Sequence, residues 1–383
     1  MELKDIRNTI DQIDDQMLEL FVRRMEVARD VAAYKKEHGL PILDSGRERE
    51  VLNRVTEKAG EGLERYAKLL YQTMFDLSRG YQSSLLSAGS PLMKRLEAAV
   101  AGKKEKLPNR ALVACQGTEG AYAQKACDHM FEFANILYMN TFDDVFAAVE
   151  KGMCPYGVLP IENSSAGSVT QVYDLMEKHN FSIVRAARER IEHKLMALPG
   201  TRFEDVREVV SHEQALRQCS AFFHDHPKIK VTEMGNTATA AEFVAASGRN
   251  DLAVIASGDC RELYGLAILK DSVSNAESNF TRFICIAKDM QLYDGANKIS
   301  LMLRARTARF ALPPAFADLR DGRQLTKLES RPMPGRDFEF RFFFDLECQH
   351  RAGGRARPAL PNWNASRSSS PSWATMRRST DAV

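Results

Sequence analysis

Pro160-Ile161-Glu162-Asn163-Ser164-Ser165-Ala166-Gly167 closes an apolar run at residues 156–159, and far downstream Glu277-Ser278-Asn279-Phe280-Thr281-Arg282-Phe283 opens another at residues 283–287. Each sets hydroxyl and amide side chains beside a charged one at the end of a strand-like segment, which is how an α/β protein builds a pocket for a small polyanion. Both runs belong to residues 110–288, where short apolar strands (111–114, 156–159, 208–210, 252–256, 283–287) alternate with helical stretches. That alternation predicts sheets covered by helices. A series of this length, interrupted by a crossover after Asn163, is expected to form two lobes.

Upstream the pattern is helical. Ile6, Ile10, Ile13, Met17, Leu20, Phe21, Val27, Ala28 and Val31 recur at spacings of three and four, which predicts one helix over residues 5–38, ended by Gly39 and Pro41. Such a helix is about 50 Å long, more than one small helical domain covers on one side, so a second protomer is the natural cover and a homodimer is expected. A second helix follows Asp44 and a third spans residues 63–86, making residues 1–90 an all-α domain of three helices. Residues 91–107 read as a linker with a helical stretch inside it, and residues 108–290 as the α/β domain. Strand signals at 299–303, 325–330 and 338–346 define a third, α+β unit over residues 297–347.

Composition narrows the class. A chain of 383 residues with net charge +2 has no electrostatic bias toward nucleic acid. Seven scattered cysteines without a C-x-x-C pair suit a reducing cytosol and no structural zinc. The charged start (Glu2, Lys4, Asp5) and the lack of a long apolar run predict an unexported cytoplasmic protein with no membrane segment.

Arg24 and Lys35 stand three helical turns apart on one face, with Arg7 roughly a quarter-turn off it. Any one of these charges alone reads as a solvated residue on an amphipathic helix. Ser45-x-x-Glu48 reads as a capping box, and Ser78 and Gln82, at i and i+4, suit an ordinary polar stripe. Taken together with Asp44 and Arg47, the set resembles the all-helical chorismate mutase, in an intertwined dimer. The resemblance implies that Arg7 (reaching the partner's site), Arg24 and Arg47 bind the carboxylates of chorismate. It further implies that Lys35 and Gln82 bond the ether oxygen, that Glu48 holds the ring hydroxyl, and that Asp44 and Ser78 complete the site. The rearrangement is pericyclic, so it calls for conformer binding and charge stabilisation, with no metal or organic cofactor.

The runs quoted at the outset resemble the signature of prephenate dehydratase, and the whole chain the bifunctional chorismate mutase/prephenate dehydratase family. Gly117, Gly120, Ala121 and Tyr122 then correspond to a substrate loop. Glu162, Asn163 and Ser164, with Ser211, His212 and Gln214 and with Asn236, Thr237 and Ala238, match the family pattern for binding the carboxylates of prephenate. Thr281 is the residue expected to act on the leaving hydroxyl, as a positioned hydrogen bond rather than a full acid, with Arg282 orienting the site. Read without the other motifs, residues 280–283 are simply a strand with alternating faces. His193 is read as a loop or packing residue and is given no role.

The third unit resembles the ACT regulatory domain that binds phenylalanine in this family, with Glu329, Ser330, Arg331 and Pro332 as its regulatory residues. Residues 304–324 depart from it: a turn and an apolar helix are expected, and Arg, Pro and scattered Ala stand there instead. Codons exist for residues 307–317 that, shifted by one base, give Pro-Pro-Gly-Ser-Leu-Tyr-Arg-Leu-Leu-Ser. Residues 362–379, read two bases later, can give a second family-like segment. Displaced reading frames are therefore expected near 304–324 and after Cys348, with impaired phenylalanine feedback and a disordered tail over 348–383. Two other classes fit the residues less well. A two-lobed solute receptor would leave the clustered Arg, Lys and Glu of the helices unexplained, and a dehydrogenase would need a Gly-x-Gly-x-x-Gly after a strand.

Overall fold

The structure, a computed structural model, describes residues 2–87, 91–276, 278–305, 323–333, 340–348 and 372–376. It divides into two units, one of Met1–Ala98 with Met302–Pro371, the other of Ala99–Leu301 with Ser372–Val383.

The helical part contains α1 (Leu3–Glu37), α2 (Ser45–Lys58), α3 (Glu64–Ser87) and α4 (Pro91–Ala101). Gly39 ends α1 with φ of 64°, a left-handed conformation that glycine adopts at little cost. On α1 the buried residues are two alanines one turn apart, Ala28 and Ala32, whose small side chains let α1 lie closely along α3. The rest of its apolar stripe is uncovered: Ile10, Ile13 and Met17 are each about half exposed. At the start of α2 the structure corrects the capping box. Asp44 is the cap, its Oδ1 accepting the Arg47 N–H over 2.9 Å, and Glu48 is engaged elsewhere.

The α/β unit begins with β1 (Arg110–Gln116), α5 (Tyr122–Met130), β2 (Phe133–Met139), α6 (Phe142–Glu150), β3 (Tyr156–Asn163), β4 (Gly167–Ser168), α7 (Thr170–His179) and β5 (Ser182–Arg190). A second lobe follows with β6 (Lys194–Ala197), β7 (Glu208–His212), α8 (Glu213–Arg217), α9 (Ser220–Asp225), β8 (Lys230–Met234), α10 (Thr237–Ser247), β9 (Leu252–Ala256), α11 (Cys260–Tyr264) and β10 (Ala267–Lys270). The chain then returns to the first lobe as β11 (Phe280–Ala287). Two sheets result, ordered β2-β1-β3-β11-β5 and β10-β6-β9-β7-β8. β11 lies antiparallel between β3 and β5, so two chain crossings join the lobes.

Both sheets are covered on their faces, which is why their central strands read as unbroken apolar runs. In β9 all five residues are buried. Val254 and Ala256 pack with Ala241 and Val244 of α10, while Ala253 and Ile255 pack on the opposite face with Leu216 and Phe222. The first lobe's core gathers Val113, Cys115, Val158, Phe283 and Cys285 against Ala126 and Met130 of α5. The end of the linker is part of this unit: Leu107 is buried in that core, and the Lys104 backbone bonds Leu292 and Asp294.

Beyond it run β12 (Lys298–Ala305), β13 (Arg323–Pro332) and β14 (Phe340–Cys348), matching the three strand signals of the third unit. β13 and β14 pair antiparallel, with Glu329 opposite Phe343 and Arg331 opposite Arg341. Residues 306–322, where the first frame change is expected, lie outside the described residues. So does the tail, apart from a short strand β15 (Ser372–Met376).

Candidate functional site

Strand pairing brings the two diagnostic runs together. In the β3–β11 register Asn163 stands opposite Thr281 and Glu162 opposite Arg282, with an irregularity just beyond Arg282. Because successive strand residues alternate faces, Asn163 and Thr281 share one side of the sheet. Glu162 and Arg282 leave from the other, 3.5 Å apart. Ser164 clasps the same strand, its N–H donating to the Phe280 carbonyl over 2.8 Å and its hydroxyl accepting the Phe280 N–H over 2.9 Å. Glu277 lies outside the described residues.

Asn163 is the hub. Its Nδ2 donates to Thr281 Oγ1 over 2.9 Å and to Asn279 Oδ1 over 2.8 Å, while its Oδ1 accepts the N–H groups of Ser165 and Ala166. Asn163, Asn279 and Thr281 are all buried. A glutamine from the second lobe joins them: Asn279 Nδ2 donates to Gln218 Oε1 over 3.0 Å, and Gln218 Nε2 reaches Asn163 Oδ1 at 3.4 Å. Sequence reasoning chose Gln214, which is exposed on the first turn of α8. Gln218 sits four residues on, one helical turn away, and that spacing was the available signal.

His193 is the second omission. It lies in the crossing between β5 and β6, 3% exposed, with Nε2 2.8 Å from Gln218 Oε1. Burial holds its pKa below the ordinary histidine value, so the ring is neutral near pH 7. It belongs to the polar network, not to packing alone, which corrects the expectation from sequence.

The remaining residues of the α/β set have local duties. Ser211 is fully buried and its hydroxyl donates to the Ile255 carbonyl, tying β7 to β9. His212 Nδ1 accepts the Gln214 N–H at the start of α8. Asn236 caps α10, accepting the Thr239 N–H over 2.7 Å, and Thr237 is that helix's first residue, half-buried beside it. The Gly117–Tyr122 loop is held against the second lobe's α11: Tyr264 donates to the Glu119 carbonyl, and a Cβ on Gly120 would lie 3.1 Å from Cys260 Sγ.

In the helical domain, Arg24 lies with its guanidinium 5.7 Å from the Phe75 ring centre, and its Nη1 is buried with no hydrogen-bond partner among the described residues. Gln82 is in the same condition: its Nε2 donates to Ser78 over 3.2 Å, and its buried Oε1 has no partner among those residues. Lys35 donates to the Ile42 carbonyl, and Glu48 pairs with Arg79, which also holds Asp76. Arg79 was not among the sequence candidates. Arg7 and Arg47 are exposed, Arg47 pairing with Glu50 over 2.7 Å. Two buried polar atoms left open at one helix pair are costly unless a ligand meets them.

On β13, Arg331 bonds Glu329 over 2.7 Å and stacks 5.4 Å from the Phe343 ring, while Ser330 and Pro332 are exposed. Among the described residues no metal-ligating cluster occurs, and no helix is long and apolar enough to cross a membrane.

Two family models match the chain, chorismate mutase type II over residues 6–83 and prephenate dehydratase over residues 113–291. The solved structure of GqqA, described as a novel type of quorum quenching acylase, has 29% identity, covers 70% of this chain and 98% of its own, and superposes with a TM-score of 0.59. The prephenate dehydratase of Arthrobacter aurescens, solved with L-Phe, shares the fold: TM-score 0.56, 22% identity, 62% of this chain and 80% of that one. The bifunctional chorismate mutase/prephenate dehydratase of Escherichia coli K12 is 31% identical over 353 residues, 90% of this chain and 88% of the relative. The chain belongs to the bifunctional chorismate mutase/prephenate dehydratase family.

Proposed function

We propose that the protein converts chorismate to prephenate in its helical domain and prephenate to phenylpyruvate in its α/β domain, within phenylalanine biosynthesis. The observation that carries the reading is the in-register meeting of Asn163 and Thr281, in which an amide donor holds a buried hydroxyl.

In the dehydratase step the C–C bond to the ring carboxylate breaks to release carbon dioxide, its electron pair enters the ring as the ring C–O bond breaks, and the departing hydroxide takes a proton from solvent to leave as water. Aromatisation supplies the driving force. The protein's part is a hydrogen bond to the departing oxygen, from Thr281, and donors for the two carboxylates, which Glu162, Ser164, Ser211, Gln214, Asn236, Thr237 and Arg282 are proposed to provide or orient. In the mutase step one C–O bond breaks as one C–C bond forms and no proton moves. Arg24, Arg47 and a partner protomer's Arg7 hold the carboxylates. Lys35 and Gln82 bond the ether oxygen, and Glu48, Asp44 and Ser78 complete the site. The open polar atoms of Arg24 and Gln82 support that assignment.

A homodimer is proposed from the uncovered stripe of α1. Phenylalanine is proposed as effector through Glu329, Ser330, Arg331 and Pro332, with feedback impaired by the atypical residues 304–324. A cytoplasmic location is proposed as well. The purified chain should consume chorismate and, in a separate assay, prephenate; Lys35→Ala should abolish the first activity and leave the second. Loss of both would contradict two independent sites.

A further inference from the structure

Resting on the dehydratase reading above, we propose that His193 is a positioning residue that directs the Thr281 hydroxyl through Gln218 and Asn163. Two backbone groups fix the polarity of this network. The N–H groups of Ser165 and Ala166 lie 3.0 and 2.9 Å from Asn163 Oδ1, and an N–H only donates, so that atom is the amide oxygen. Asn163 Nδ2 therefore donates to Asn279 Oδ1 and to Thr281 Oγ1. Asn279 Nδ2 in turn donates to Gln218 Oε1. An acceptor at Gln218 Oε1 requires the facing His193 Nε2, 2.8 Å away, to carry the hydrogen. Each contact excludes the flipped form of the next.

The consequence at the far end is directional. Thr281 Oγ1 accepts from Asn163, and its own hydrogen has no acceptor among the described residues. That hydrogen is left for the departing oxygen of the substrate. At the near end, the Nε2–H tautomer leaves His193 Nδ1 bare, buried and unpartnered. An unsatisfied buried nitrogen is costly, a cost that an apolar side chain in the same place would not incur. The backbone around it is held by the other crossing, between β10 and β11: Val273 N–H donates to the His193 carbonyl over 3.1 Å, and His193 N–H donates to Ser274 Oγ over 3.3 Å. The ring edge faces Tyr122, 6.2 Å between centres. His193 thus anchors Gln218, from the second lobe, to Asn163, from the first.

The test uses the full chain with prephenate supplied directly. His193→Gln keeps an N–H donor at about the reach of Nε2, whereas His193→Met fills a similar volume without one. The Met variant should lose about 10- to 100-fold in kcat with KM within about threefold of wild type, and the Gln variant should stay within about threefold in kcat. In a Gln218→Ala background, His193→Met should add less than about twofold, because both act on one path. Losses that multiply, or a stable Met variant with wild-type kcat, would overturn the proposal. Should the Met variant not fold, a folded His193→Gln enzyme with a loss beyond about tenfold would overturn it equally, and near-normal kcat would uphold it. A wild-type enzyme inert toward prephenate would instead overturn the dehydratase reading on which the proposal rests.

Discussion

The side-chain amide nitrogen of Asn163 lies 2.9 Å from the hydroxyl oxygen of Thr281, although the two residues belong to motifs separated by the entire second lobe. The contact exists because β11 returns to the first lobe and pairs antiparallel with β3. Asn163→Ala removes the donor to Thr281 and the acceptor for two backbone N–H groups. Dehydratase kcat should fall about 10²-fold while chorismate turnover persists, measured with each substrate separately.

Arg79 offers a test at the other site. Its guanidinium engages both Glu48 and Asp76 across α2 and α3, so it determines where the Glu48 carboxylate stands. Arg79→Gln should lower kcat/KM for chorismate about tenfold and leave prephenate turnover intact. An unchanged chorismate rate would remove Glu48 positioning from the account.

The dimer follows from exposure. Ile13 and Met17 sit half exposed one turn apart on α1, and covering the exposed half of both side chains contributes about 1.5–3 kcal/mol in total. A double substitution to Asp, Ile13→Asp with Met17→Asp, should shift the protein to monomer in sedimentation velocity. Chorismate activity should fall with it, since Arg7 is proposed to act across the interface.

Glu208 gives a pH prediction. Hydrogen bonds from Thr232 at 2.7 Å and Lys230 at 3.0 Å, then Arg249 at 3.1 Å, pull its pKa down to about 2 from the ordinary 4.5. A folded-state value below the unfolded one means the stabilisation is complete above about pH 4.5 and fades as pH falls toward 2. Glu208→Gln should therefore cost about 1 kcal/mol at pH 7, seen in urea unfolding, and the difference from wild type should close near pH 2.

Much of this was legible in the sequence for identifiable reasons. The period-3.6 stripe of α1 encodes the helix and the apolar run of β9 encodes a strand buried on both faces, and each element appears where its pattern puts it, although the stripe of α1 stays largely exposed. Long-range pairing is another matter. Nothing local says that Thr281 returns beside Asn163, and the spacing that sets Gln218 one helical turn from Gln214 points to a second candidate without saying which amide joins the network. His193 was missed since an isolated histidine on a short connection carries no pattern. Arg79 was missed because a charge on a helix reads as solvated until its partner on another helix is known.

The most direct measurement follows chorismate through the Thr281→Ala enzyme by NMR or chromatography. Chorismate should disappear at the wild-type rate while prephenate accumulates one for one and phenylpyruvate formation drops by about 10²-fold or more. Phenylpyruvate appearing at the wild-type rate would contradict the placement of the chemistry at Thr281, and with it the meaning assigned to the Asn163–Thr281 contact.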